Sequence, residues 1–305
     1  GDRGVMATLS AFVMLTKPRI IELLLITTVP SMILAEGGMP DISLVLLTVV
    51  GGTLAAGGAN TFNMYIDRDI DRLMERTQGR PLVTGAVSPK AALVFAVMLE
   101  TLAFCLFVLW VNWLSAVLAV GACLFYVFVY SLWLKRTSKQ NIVIGGAAGA
   151  VPPLIGWVAA TGSISIESIL MFALIFMWTP AHFWALALFM HSDYEDAKVP
   201  MLTVTHGRRS TRRHIMAYAA FQSLLAVGLA FSAVGGPTYL VIALILNSLM
   251  LRNAFLILLR NEIEAQKDNF KFERSFFKMS LVYLFLHFLA ILGEALLLPY
   301  GIGGW

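Results

Sequence analysis

Charge is scarce in this chain. Only 13% of its 305 residues are Asp, Glu, Lys or Arg, against 59% hydrophobic, which leaves too little polar surface to coat a water-soluble globule of this size. Lipid is therefore the expected main solvent, and a mean hydropathy of +0.80 agrees. Cysteine is nearly absent. Cys105 and Cys123 both fall inside apolar runs, at a separation unsuited to a metal clip, and are read as packing thiols. Low-complexity tracts and strong internal repeats are missing, as is a cleavable leader pattern ahead of the first apolar run. The net charge of +4 calls for no nucleic-acid partner; membrane orientation and attraction to anionic lipid or an anionic substrate account for it.

What the chain does have is apolar runs along nearly its whole length, at about 20–35, 42–66, 91–111, 113–134, 142–160, 166–190, 215–234, 238–259 and 279–298. Most reach the ~20 residues a bilayer-crossing helix needs. The fold class expected is all-α, a polytopic bundle of about nine transmembrane helices forming a single domain over 1–305, with eight spans as the nearest alternative. The first run is short and carries Glu22 near its start, which places part of it in the interface. Lys and Arg accumulate on the cytoplasmic side of membrane proteins, and alternation from an inside N-terminus puts all 22 of them on one side. The N-terminal segment 1–15 and the charged loops 67–90 and 191–214 then face the cytoplasm.

The first of those loops continues the second run as NTFNMYIDRDIDRLMERTQGR, residues 60–80. Asn63, Asp67 and Asp71 are spaced i, i+4, i+8, so a continuing helix puts them on one face, with Glu75 extending the row. Arg68, Arg72 and Arg76 run beside it, followed by Arg80. A carboxylate row next to a guanidinium row suits a diphosphate whose oxygens are shared between Mg²⁺ and Arg, since Mg²⁺ takes few carboxylates and Arg forks match phosphate bidentately. The alternative is a solvated helix end whose acids and bases pair. The second loop repeats the chemistry with Asp193, Glu195, Asp196 and Lys198; two acidic clusters on one membrane face could each hold a metal ion on one diphosphate.

Other candidates are single residues. His182 lies deep in the sixth run, two residues after Pro180, and reads either as a helix-helix hydrogen-bonding residue or as a group facing an internal cavity. Lys135 and Arg136 end the fourth run as interface anchors or phosphate contacts, and Tyr130 precedes them on that helix. Trp157, Trp178 and Trp184 read first as packing or interface residues, with Trp178 kept among the acceptor-side candidates. No role is evident for Glu22, Glu100 or Glu294. A transporter is the rival from another class, but its acids belong near the bilayer midplane, whereas these gather at one face.

On these residues the chain resembles the UbiA superfamily of intramembrane prenyltransferases. The hallmark is Asn63-x3-Asp67-x3-Asp71 with RTQGRP at Arg76 to Pro81. A narrower likeness, to the haem-farnesylating branch, rests on TKPRIIELLL from Thr16, WLKRTSKQNIVIGGAAGAVPPLIGW from Trp133, WTPAHFWALAL from Trp178 and DYEDAKVPML from Asp193. The resemblance implies a helical bundle around a cavity open to the cytoplasmic side of the cell (plasma or inner) membrane. It implies Mg²⁺-dependent transfer of farnesyl from farnesyl diphosphate to a vinyl group of protohaem IX. In that reading Asn63, Asp67, Asp71, Asp193 and Asp196 are the catalytic and metal-holding set. Arg72, Arg76, Arg80, Lys135, Arg136 and Lys198 bind diphosphate, and His182, Tyr130 and Trp178 meet the acceptor. A haem-modifying enzyme or terminal oxidase assembly follows downstream. One departure stands out: position 192 is Ser where the family's second motif usually has an acid, leaving open which of Asp193 and Asp196 holds the second metal. A quinone-type aromatic or chlorophyll-type acceptor is the enzymatic alternative.

Overall fold

A computed structural model describes residues 2–18, 20–134, 141–190 and 207–305. Its regular structure is all helical. The main helices are α1 (Asp2–Leu15), α2 (Ile20–Glu36), α3 (Ile42–Ile66), α4 (Arg68–Asp71), α5 (Pro81–Thr84), α6 (Pro89–Trp110), α7 (Trp113–Leu124), α8 (Asn141–Gly149), α9 (Val151–Thr161), α10 (Ile166–Phe189), α11 (Gly207–Gly228), α12 (Pro237–Leu259), α13 (Glu262–Lys267) and α14 (Lys271–Leu297). Helix starts are written in local chemistry. Asp41 accepts from the Ser43 N–H at 3.0 Å to begin α3, and Ser88, followed by Pro89, caps α6. Asn112 caps α7 while its amide donates 2.9 Å to the Val158 carbonyl of α9. Ser165 and Ser168 form a capping box on α10. Each cap satisfies amide protons that the first helical turn cannot.

All nine apolar runs are helical, but not equally. Among the described residues six helices are long and apolar enough to cross a membrane. The other three runs are α2, at 17 residues with Pro30 inside; α7, which passes into a π-helical segment at Phe125–Leu134; and α8 with α9, which break at Ala150. Pro152 and Pro153 explain that break, since a proline ring collides with the carbonyl four residues back. Gly156 lets α9 cross α2 closely, because a Cβ there would stand 2.6 Å from the Thr28 carbonyl oxygen. Thr28 and Ser31 fasten the crossing by donating to the Pro152 and Pro153 carbonyls.

Two expected boundaries move. The helix following the second charged loop starts at Gly207 rather than near 215, and α14 starts at Lys271 rather than near 279. Both helices carry their basic residues as extra turns beyond the apolar part, which hydropathy alone reads as loop. Segment 1–15 is likewise no loose tail: α1 packs Ala11 and Leu15 against Met64, Leu82, Val87 and Ala92, while Val5, Met6, Leu9 and Val13 stay exposed. That apolar surface suits a helix lying in the membrane interface.

In space, α2, α3, α6, α7, α9, α10, α11, α12 and α14 each pack on the next, and α14 returns to α2, closing a ring. The main core gathers Trp178, Ala181 and Trp184 of α10 with Ile215 and Ala219 of α11 and Tyr283, Leu284 and Phe288 of α14. Ile70 and Met74 of the first charged segment belong to the same cluster. That insertion fixes the segment against the bundle and so positions the acids beside it.

Candidate active site

Asn63, Asp67 and Asp71 are all buried, at 2, 0 and 3% exposure. A charged or amide group is costly to bury without partners, so a solvated helix end is not what the fold builds here. The helix does not run straight through them. Asp67, with ψ near 7°, ends α3 and starts α4, yet its N–H still donates 2.9 Å to the Asn63 carbonyl, and the Asp71 N–H donates 2.8 Å to the Asp67 carbonyl. The four-residue spacing thus survives a kink, and the three polar side chains remain in succession.

Glu75 does not extend the row. Met74 is extended, with φ −105° and ψ 122°, and Glu75 begins a separate 3-10 turn with its side chain exposed. The turn is instead organised by Asp71, whose carbonyl accepts from the Thr77 hydroxyl at 2.8 Å and whose carboxylate meets the Arg80 guanidinium at 2.9 Å. The guanidinium row divides accordingly. Arg80 is partly buried on Asp71, Arg72 and Arg76 are exposed, and Arg68 turns back to the Tyr65 carbonyl and ring. Beneath this segment, α1 and the turn after it supply backbone acceptors: Asn60 donates to the Thr16 carbonyl at 3.0 Å and Thr61 to the Leu15 carbonyl at 3.3 Å. Thr16, Lys17, Gly57 and Asn60 line a small cavity there. Lys17 enters the sequence reading only through the one-sided charge pattern and the TKPRIIELLL stretch; nothing in spacing links it to a turn of helix more than forty residues later.

Asp193, Asp196, Lys198, Lys135 and Arg136 lie outside the described residues, and Tyr130 sits in the π-helical segment with its side chain outside them too. Among the described residues no three His, Cys, Asp or Glu side chains form a metal-holding group. The first half of the expected metal set nevertheless fits Mg²⁺ in donor chemistry: two buried carboxylates four residues apart and an amide oxygen are hard oxygen ligands of the kind it prefers.

His182 is 3% exposed and enclosed by protein. Its ring stacks between Trp178, at 4.4 Å between centroids, and Phe277 of α14, at 4.3 Å, and Nδ1 is hydrogen-bonded to the Ser280 hydroxyl. Trp178 Nε1 donates 2.8 Å to the Ser280 carbonyl. Both ring faces of His182 are therefore covered, and an acceptor could reach it only along an edge. Glu294, without a role in the sequence, has one here: its carboxylate accepts from the Tyr239 N–H at 2.9 Å and the Gly304 N–H at 2.6 Å, capping the start of α12.

A buried ionic cluster was also missed. Arg212, 1% exposed, donates 2.6 Å to Glu273 and 3.1 Å to Glu262. Arg208 pairs with Glu262 and donates to the Leu188 carbonyl near the end of α10, so one side chain touches both flanks of the second charged loop. Arg260 takes Asp268 through both guanidinium nitrogens, at 2.9 and 2.5 Å. The Arg260 hydrogen bonds hold the Asp268 carboxyl below the ordinary carboxylate range.

Residues 24–298 match the UbiA prenyltransferase family. A protein of Ruegeria pomeroyi named Protoheme IX farnesyltransferase is 54% identical over 294 residues, 95% of this chain and 91% of the relative. A Cereibacter sphaeroides protein of the same name is 53% identical over 292 residues, 95% of this chain and 94% of the relative. Among solved structures, a digeranylgeranylglyceryl phosphate synthase shares the fold at TM-score 0.75 and 18% identity, covering 94% of this chain and 98% of its own. A UbiA homolog from Archaeoglobus fulgidus bound to DMAPP and Mg²⁺ does so at TM-score 0.65 and 17% identity, covering 92% and 99%. With the buried Asn63, Asp67 and Asp71 standing where the hallmark spacing requires them, the chain belongs to the UbiA prenyltransferase family.

Proposed function

We propose that this membrane protein transfers farnesyl from farnesyl diphosphate to a vinyl group of protohaem IX, at a site on the cytoplasmic side of the cell membrane. The observation that carries the reading is identity above 50% over nearly the whole chain with relatives named for that reaction. The buried acidic row with Arg80 is the chemistry it needs.

The bond that breaks joins farnesyl C1 to a diphosphate oxygen, and its electron pair leaves with the diphosphate. The vinyl π pair forms the new carbon–carbon bond; water adds to the resulting cation and gives up a proton, leaving a hydroxyethylfarnesyl side chain. Asn63, Asp67 and Asp71 would hold Mg²⁺, which would supply positive charge to the departing diphosphate, an electrostatic contribution on the order of several kcal/mol. Arg80 holds the Asp71 carboxylate in one orientation, and the exposed Arg72 and Arg76 stand beside the row, suited to bidentate contact with phosphate oxygens. Asp193 and Asp196 are assigned a second metal, and Lys198, Lys135 and Arg136 further phosphate oxygens. On the acceptor side stand His182, Trp178 and Tyr130. Trp178 and Phe277, stacked on His182, are the aromatic groups assigned to keep bulk water from a developing allylic cation.

Membrane vesicles given labelled farnesyl diphosphate with haem, or with an aromatic acid, test the reading. Label recovered in haem whose mass has grown by one farnesyl group and one hydroxyl group supports it. Label recovered in the aromatic acid alone overturns it.

A further inference from the structure

The first turns of α14 carry a feature that the prenyl-transfer site does not use. Lys271, Arg274, Ser275, Lys278, Met279 and Val282 line a groove of about 570 Å³, with Asp268 and Asn269 at its mouth. These helical positions recur at three- and four-residue steps and so share one face. Going into the membrane, the face changes character: three cations come first, then Met279 and an exposed Val282, with Phe285 exposed one turn further on.

The one acid lining the groove, Asp268, accepts from the Lys271 N–H at 3.2 Å but leaves the groove with three cations to one carboxylate. Asp268 is taken by Arg260 through both oxygens. None of the ion pairs among the described residues involves Lys271, Arg274 or Lys278. Arg274 is also held in place, its Nε donating 3.0 Å to the Asn269 carbonyl and its guanidinium lying 4.6 Å over the Phe189 ring. Scattered interface lysines would simply snorkel; here an oriented guanidinium, two ammonium groups and a hydroxyl line a recess that continues into a lipid-facing apolar strip. A cluster of cations at the membrane end of a helix, next to apolar surface, matches the headgroups of anionic lipids.

We propose that this groove seats the headgroup phosphate of an anionic phospholipid from the adjoining leaflet, with its acyl chains along Met279 and Val282. The test uses the full chain purified in detergent and mixed with dioleoyl phosphatidylglycerol or dioleoyl phosphatidylcholine, and counts bound lipid by native mass spectrometry. Phosphatidylglycerol should be retained about tenfold over phosphatidylcholine. Lys271→Gln with Lys278→Gln should remove that preference, while Lys271→Arg with Lys278→Arg, and separately Lys90→Gln, should keep it. A parent with no preference, or a Gln pair that keeps it, overturns the proposal. So does displacement of the lipid by inorganic pyrophosphate at millimolar concentration, which would make this a free-phosphate site. Lysine acetylation of the parent in nanodiscs needs no variant: phosphatidylglycerol should protect Lys271 and Lys278 about fivefold relative to Lys90, and equal labelling in both lipids overturns the proposal independently.

Discussion

Asp71 and Arg80 are nine residues apart in the chain and 2.9 Å apart in the fold, so the loop between them is shaped by the pair that the proposed chemistry uses. Asp67→Asn and Asp71→Asn are each expected to lower turnover by about 100-fold or more, the scale of a lost electrostatic contact in a transition state, with membrane insertion unchanged. An assay within about threefold of the parent in either variant would return the row to a structural role. At His182 the acceptor role and the packing each carry an expectation. His182→Ala should keep farnesyl diphosphate binding within a few-fold and lower product formation by ~10-fold, or about 1.4 kcal/mol. It should also weaken the α10–α14 contact by about 1–3 kcal/mol, because it empties the middle of an aromatic stack and leaves a polar partner behind. His182→Phe separates the two effects. Thermal unfolding in detergent should recover with Phe while haem binding stays weak; recovery of both would make the residue a packing group. The acidic row was legible because its spacing is local. The enclosure of His182 was not, since Phe277 and Ser280 lie almost a hundred residues away.

Helix boundaries divide in the same way. Apolar runs coincide with all six helices that, among the described residues, are long and apolar enough to cross a membrane, yet the basic first turns of α11 and α14 read as loops, because what keeps Arg212 helical and dry is Glu273, sixty-one residues later. Hydropathy has no means of pairing two charges across two helices. That pair makes a sharp prediction: Glu273→Leu or Arg212→Met alone should cost about 1–3 kcal/mol, because Glu262 remains for Arg212 and Arg260 for Glu273 but neither replaces the lost buried contact, whereas the double variant should recover most of the loss. Denaturation in detergent over the full cycle measures the coupling, and additive single losses would refute it. The turn between α12 and α14 has a pH signature. Asp268 titrates below its unfolded value of about 3.9 because Arg260 hydrogen-bonds the carboxylate. The stability it contributes is therefore complete above that unfolded value and is lost as pH falls through the lower folded one. Protease nicking between residues 260 and 271 should rise on acidification below about pH 4, and Asp268→Asn should show the same susceptibility at neutral pH.

Alternation of the apolar runs sorts Lys and Arg to one side of the membrane in the sequence, and among the described residues Arg208, Arg212 and Arg260 tie neighbouring helices together there. Hydrophilic tags near residues 38, 162 and 236 should therefore be reachable only from outside the cell, and tags near 85, 138, 205 and 268 only from the cytoplasm. Outside labelling at 85 would displace both the topology and the proposed reaction side. The number of crossings was the part of the architecture least legible in composition, since length, a π-helical turn and a proline pair decide whether an apolar run spans unbroken. The ionic cluster bears on how this molecule meets bilayers of different thickness. Through Arg208 and Arg212 it sets α10, α11, α12 and α14 at one common depth, and four arginines within the first two turns of α11 resist being drawn into hydrocarbon. A hydrophobic mismatch is then taken up at the opposite end, where the connections are short turns through Gly162 and Gly235–Gly236 with no cation to anchor them. Thickening the bilayer should tilt or splay the far ends of these helices while leaving the charged end, and the acids it carries, in register.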